Sequence, residues 1–220
     1  MRASRRDGRQ AWLIVVIMGL YFFVDLFQAA LIGVGSIEAV LQQDFGLSNS
    51  DLAWLVGMFG WGNLLVIPFV GLALSRYSVR KITLVMLAIC GFGALGTACA
   101  SAHWMFFLFR AISGFSHAFC FLCATTLVTR WFSARRGGVA MGVFVGLGLC
   151  GPIIAHAFLA QLTNLLGSWR YALALFAVLP LLLFVLAFFV LQDDPDAVAD
   201  VLLADRPTFK GFMQQVREVA

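Results

Sequence analysis

Charge is scarce in this sequence. Only 12% of its 220 residues are Asp, Glu, Lys or Arg, where a soluble domain carries about a quarter, and too little charge remains to cover a water-facing surface. Alternation of apolar with polar residues is missing too. Runs such as ALALFAVLPLLLFVLAFFVL have no polar face, which excludes a transmembrane β-barrel. The three histidines, His103, His117 and His156, are scattered, with no carboxylate or thiolate cluster around them, so no metal site is expected. All five cysteines (Cys90, Cys99, Cys120, Cys123, Cys150) fall inside apolar runs, which argues against a disulfide framework. The spacing of Cys120 and Cys123 reads as two small packing residues rather than a redox pair.

Apolar side chains are what the sequence has in excess, at 62% of residues and a mean hydropathy of +0.95. Runs near 12–35, 52–74, 82–101, 104–128, 138–164 and 171–191 each reach the roughly 20 residues needed to cross about 30 Å of hydrocarbon. The expectation is an all-α membrane protein of six transmembrane helices, with a basic N-terminus over 1–11, a bundle over 12–191 and a tail over 192–220. The opening MRASRRDGRQ resembles the start of a secretion signal, but the following run is too long and ends in no small-residue cleavage site, so an uncleaved first span is expected.

Basic residues gather before span one (Arg2, Arg5, Arg6, Arg9), between spans two and three (Arg76, Arg80, Lys81) and between four and five (Arg130, Arg135, Arg136). By the positive-inside bias both termini are cytoplasmic. The net charge of +4 follows from that bias and calls for no nucleic acid. In the tail, Phe209, Phe212, Met213 and Val216 stand at i, i+3, i+4 and i+7, predicting a short amphipathic helix on the cytoplasmic membrane face.

Laid beside spans four to six, spans one to three show a faint internal repeat, with WLVGMFGWGN in span two and AMGVFVGLGL in span five. Three spans per unit force opposite orientations, so the repeats are inverted, a device of transporters. Gly57, Gly60 and Gly62, and Gly138, Gly142 and Gly146, are expected to let helix backbones approach closely. Whether that packing is static or lets helices slide stays open at this level.

Two ionisable residues sit well inside the spans: Asp25 in YFFVDLFQAA and Arg110 in WMFFLFRAISGFSH. Asp25 lies about 20 Å along span one, counted from the cytoplasmic end, and Arg110 about 9 Å below the opposite face, which puts them at one level of a core about 30 Å thick. Intramembrane charges are costly and usually pair inside the bundle, so Asp25 and Arg110 are expected to face each other. A static bridge fixing helix register is one reading; the other is a switch, in which protonating Asp25 releases Arg110 for an anionic substrate. Gln28 and His117 extend the polar lining.

From Gly71 to Lys81, GLALSRYSVRK resembles the loop motif of the major facilitator superfamily, with Ser75 in place of the usual acid and Ser78 in place of the second glycine. RAISG, from Arg110 to Gly114, resembles its span-four motif, and GLGLCGP, ending at Gly151 and Pro152, its span-five motif. The resemblance implies the amino-terminal six-helix half of a secondary carrier working by alternating access, with Arg110 associated with proton coupling; Asp25, from its place in the span, is expected to titrate beside it, and Gly71, Arg76, Arg80 and Lys81 to form a cytoplasmic gate. Gly57, Gly60, Gly142, Gly146, Gly151 and Pro152 would serve helix packing. TRWFSARRGGVAMG is similar to monocarboxylate and oxalate/formate carriers, implying a small organic anion.

Members of that family have about twelve spans, so the chain is expected to be a fragment, a half-carrier completed by a second six-helix half, or a homodimer. The expected surroundings are a lipid bilayer, that of a bacterial inner membrane, with no cofactor. An intramembrane serine protease built on Ser113 or Ser116 is set aside. Ser116 and His117 are adjacent and hence about 100° apart on a helix. A non-transporting membrane scaffold or regulatory subunit remains the alternative.

Overall fold

The computed structural model describes residues 8–33 and 35–192. The amphipathic helix expected near Phe209 and Val216, and nearly all of the tail, lie outside the described residues.

Among the described residues seven α-helices follow one another: α1 (Arg9–Ala30), α2 (Gly35–Phe45), α3 (Asn49–Arg76), α4 (Val79–Cys99), α5 (His103–Trp131), α6 (Ala134–Leu166) and α7 (Trp169–Val190). All but α2 are long and apolar enough to cross a membrane. Hydrocarbon leaves an unpaired backbone group no partner, which favours the continuous helix over any open alternative. Serine side chains cap the beginnings of α3, α4 and α7. Ser48 caps α3, its hydroxyl accepting from the Asp51 amide (3.2 Å) while Asp51 Oδ2 accepts from the Ser48 amide (2.9 Å). Ser78 caps α4 through the Lys81 amide, and Gly167, at φ 68°, ends α6 in the left-handed region.

Two departures from the sequence reading matter. The first span stops at Ala30 instead of running to 35, and a 3-10 turn over Leu31–Gly33 leads into α2. The stretch holding Glu38 and Asp44 is thus helical, with Ile37 and Leu41 buried one turn apart. Asp44 Oδ2 accepts from Trp169 Nε1 (2.7 Å) and Arg170 Nη1 (3.3 Å), and Arg170 Nη2 donates to the Ala100 carbonyl (3.2 Å). Arg170 therefore ties α2 to the beginning of α7 and the end of α4.

Inverted repetition is written into the packing. Gly62 of α3 lies against Ala111 and Phe115 of α5, and Gly151 of α6 lies against Phe23 and Phe27 of α1. Buried Leu55, Phe59, Gly62, Val66 and Val70 of α3 recur 89 residues later as buried Phe144, Gly148, Gly151, Ala155 and Leu159. Buried Val79, Ile82, Thr83, Leu87, Cys90, Gly93 and Thr97 of α4 recur at a spacing of 90 as buried Trp169, Ala172, Leu173, Ala177, Pro180, Leu183 and Ala187 of α7. The two three-helix units therefore share one packing scheme.

Only some of the glycines expected to pack do so. A Cβ at Gly62, Gly114 or Gly151 would strike the backbone carbonyl of Ala111, Phe59 or Phe23. Gly60, Gly138, Gly142 and Gly146 meet nothing within 4 Å, and Gly57 meets only Trp61 of its own helix. Their side of α3 and α6 is the outward one, so within the described residues they hold nothing together. Gly114→Ala forces a methyl group into backbone and is expected to cost about 1–3 kcal/mol, read as a lower apparent Tm of the detergent-extracted protein. Gly142→Ala should melt with the wild type.

Candidate functional site

Tyr21, Asp25 and Gln28 stand at i, i+4 and i+7 and so share one face of α1. That face is buried: Asp25 is 1% exposed and Tyr21 fully enclosed. Each of the three meets another helix. Tyr21 Oη donates to the Ser116 carbonyl of α5 (3.2 Å), and Gln28 Nε2 donates to Cys90 Sγ of α4 (3.0 Å). Cys90 Sγ in turn donates to Asp25 Oδ1 (3.6 Å).

The other carboxylate oxygen, Oδ2, faces His117 Nδ1 of α5 at 3.7 Å. Neither atom has a hydrogen-bond partner among the described residues. The contact is too long for a hydrogen bond yet close enough for an ion pair when the imidazole is protonated. Aromatic rings hold His117 in place, with Phe22 stacked at 6.0 Å between centroids and Phe59 tilted at 5.3 Å. His117 keeps 19% of its side-chain surface exposed. Of the two side chains, Asp25 is enclosed and His117 is the one that keeps exposed surface.

Arg110 does not meet Asp25, contrary to the expectation from depth. Its Nη1 donates to the Gln28 carbonyl and its Nη2 to the Ala29 carbonyl (3.4 Å), in the last turn of α1, where carbonyls run out of intrahelical partners. A cation there also opposes the negative end of the helix dipole. The guanidinium lies over the Phe59 ring, 5.1 Å from its centroid. The pairing failed because span one stops at Ala30, which brings the span's end, not Asp25, to the height of Arg110. Beside Arg110 is a cavity of about 20 Å³ lined by Gln28, Thr97 and apolar side chains, the size of about one water molecule.

The gate residues lie at one end of the bundle, where α3 ends and α4 begins. Arg80 Nη2 donates to the Phe188 carbonyl (2.7 Å) and its guanidinium lies 5.5 Å from that ring, which ties α4 to the end of α7. Gly71 has open space around it, and Pro152 sits within α6 with its carbonyl bonded to His156 of the same helix (2.8 Å). Cys90 escaped the sequence reading, because nothing in an apolar run marks a thiol as level with Asp25. Tyr21 was missed as well, although its four-residue spacing from Asp25 places it on the same helix face.

A sequence model described as Major Facilitator Superfamily matches residues 17–213. Monocarboxylate transporter 14 of Homo sapiens is 26% identical over 169 residues, covering 76% of this chain and 32% of that protein. The putative transporter AraJ of Escherichia coli (strain K12) is 24% identical over 167 residues, covering 74% and 41%. Among solved structures, a bacterial homolog of the human lysosomal transporter Spinster, inward-facing and unoccupied, superposes with a TM-score of 0.72 at 15% identity, covering 86% of this chain and 44% of that one. The chain thus spans about a third to two-fifths of the length of these two curated relatives.

Lysine's ammonium has three donors but no rigid planar fork to match the Gln28 and Ala29 carbonyls at once and no plane to lay on Phe59. Arg110→Lys is therefore expected to destabilise the bundle by about 1–3 kcal/mol, lowering the apparent Tm in detergent. An unchanged Tm would remove Arg110 as the cap of α1.

Proposed function

Since the chain belongs to the Major Facilitator Superfamily, we propose that its six spans form one half of a proton-coupled carrier for a small organic anion. A second six-helix unit, on another chain or a second copy of this one, completes the cavity. The observation that carries the reading is the buried Asp25–His117 pair, two titratable side chains with unpartnered atoms facing each other inside the bundle. Such intramembrane groups are expensive to keep, and their usual use is a proton or ion path.

In this mechanism a proton arrives at His117, the exposed member, and passes from Nδ1 to Asp25 Oδ2, leaving both side chains neutral. Loss of the ion pair removes the attraction between α1 and α5 at that level. These helices belong to different repeats, so the protonation state biases how the repeats sit against each other. Arg110 has no carboxylate partner among the described residues and is 1% exposed, so in this reading its charge meets an anion only once movement of the repeats opens the seam around it. An anionic substrate is also in keeping with the name of the human relative. The outward glycines Gly57, Gly60, Gly142 and Gly146 offer a close approach to the second unit, and Gly71 and Arg76 belong to the gate at its edge. Both termini, in this reading, face the cytoplasm.

The test is flux of small carboxylates in proteoliposomes, with a proton gradient and as exchange without one. Asp25→Asn is expected to cut gradient-driven flux about tenfold or more and to leave exchange in place, which shows that the variant is folded. Gradient-driven flux at the wild-type rate would sink the assignment. A wild-type monomer that moves nothing in either mode would assign the chain to the scaffold reading.

A further inference from the structure

Close contact of α3 with α5, set by Gly62 and Gly114, draws α3 away from α4. Between them opens a groove of about 1310 Å³, lined by Leu65 and Phe69 of α3, Phe92 of α4, Phe115 of α5 and Phe188 of α7. Among the described residues its one charged lining residue is Lys81, at the first turn of α4. Arg80, its neighbour, is drawn onto Phe188, whereas the exposed Lys81 ammonium has no hydrogen-bond partner among the described residues. The residues along α4 from Lys81 to Phe92 rise about 16 Å, close to the depth of one leaflet, about half of a 30 Å core.

We infer that this groove is a binding site for an anionic phospholipid, its acyl chains lying along Leu65, Phe69 and Phe92 and its phosphate on Lys81. Length, apolar walls and the place of the cation all fit one molecule of the leaflet on the Lys81 side. A zwitterionic lipid would fill the same walls but bring its own positive charge to the rim, where a bare phosphate gains more from the lysine. The inference does not rest on the transport mechanism above.

Native mass spectrometry of the protein extracted from an equimolar mixture of phosphatidylglycerol and phosphatidylcholine reads the retained lipid. Wild type is expected to keep phosphatidylglycerol about fivefold over phosphatidylcholine, the effect of one lysine at the membrane surface. Lys81→Gln should abolish that preference, Lys81→Arg should keep it, and Ala88→Trp, which fills the groove, should reduce retention of both lipids. Arg135→Gln, at the same end of the bundle, should keep the preference. Equal retention of both lipids by wild type, or an undiminished preference in Lys81→Gln, overturns the inference. Circular dichroism on each variant separates a lost site from a lost fold.

Discussion

In hydrocarbon a helix may not simply stop. Each end leaves carbonyls or amides that water would satisfy and lipid does not, yet α1 ends at Ala30 and the chain turns at once. Arg110 makes this possible, its fork reaching the Gln28 and Ala29 carbonyls across the gap between α1 and α5. The same contact determines where the 3-10 turn and α2 begin. It also sets the height at which α5 stands against α1, and hence which residue of α5 meets Asp25. With seven residues, about two turns, between Arg110 and His117, the imidazole lies along the carboxylate. The charge that seemed to need an acid is satisfied by backbone, and the acid is left to the histidine.

Beneath this lies a scheme in which α1 packs on α6 as α5 packs on α3. The glycine contacts match position for position: Gly62 on Ala111 and Phe115, Gly151 on Phe23 and Phe27. Carrying the match outward sets Phe22 opposite Arg110 and Asp25 opposite Ser113. Phe22 packs on Gly148 and stacks on Phe144, while Arg110 lies over Phe59, the counterpart of Gly148. An aromatic ring in one repeat thus takes the place that a guanidinium takes in the other.

Much of this architecture was legible. Six spans follow from the length of the apolar runs, because hydrocarbon thickness leaves little freedom, and the inverted repeat was visible in the glycine-punctuated second and fifth spans. The first span's end was not, since Leu31 and Ile32 are as apolar as what precedes them and the reason to stop lies 80 residues away in Arg110. Depth arithmetic along two helices then placed Arg110 against the wrong residue. Glycines misled for a related reason: a small residue reports that something may approach, not that it does. Gly62 and Gly142 look alike in sequence and differ only in what faces them. Cys90 was invisible because a buried thiol gives no periodic signal.

Symmetry and chemistry occupy different residues. The repeat-related positions that agree, such as Leu87 with Ala177 or Gly93 with Leu183, are apolar or small and settle packing. Those that disagree, Phe22 with Arg110, Asp25 with Ser113 and Cys90 with Pro180, hold the polar atoms. A buried charge duplicated by the repeat would double a desolvation cost of several kcal/mol for one site's worth of use. The two charges are instead divided between the related places: Asp25 stands one turn from Phe22 on α1, and Arg110 one turn from Ser113 on α5. The Asp25–His117 contact therefore joins α1 of one repeat to α5 of the other at a place whose counterpart, Ser113 and Ala29, carries no ionisable side chain.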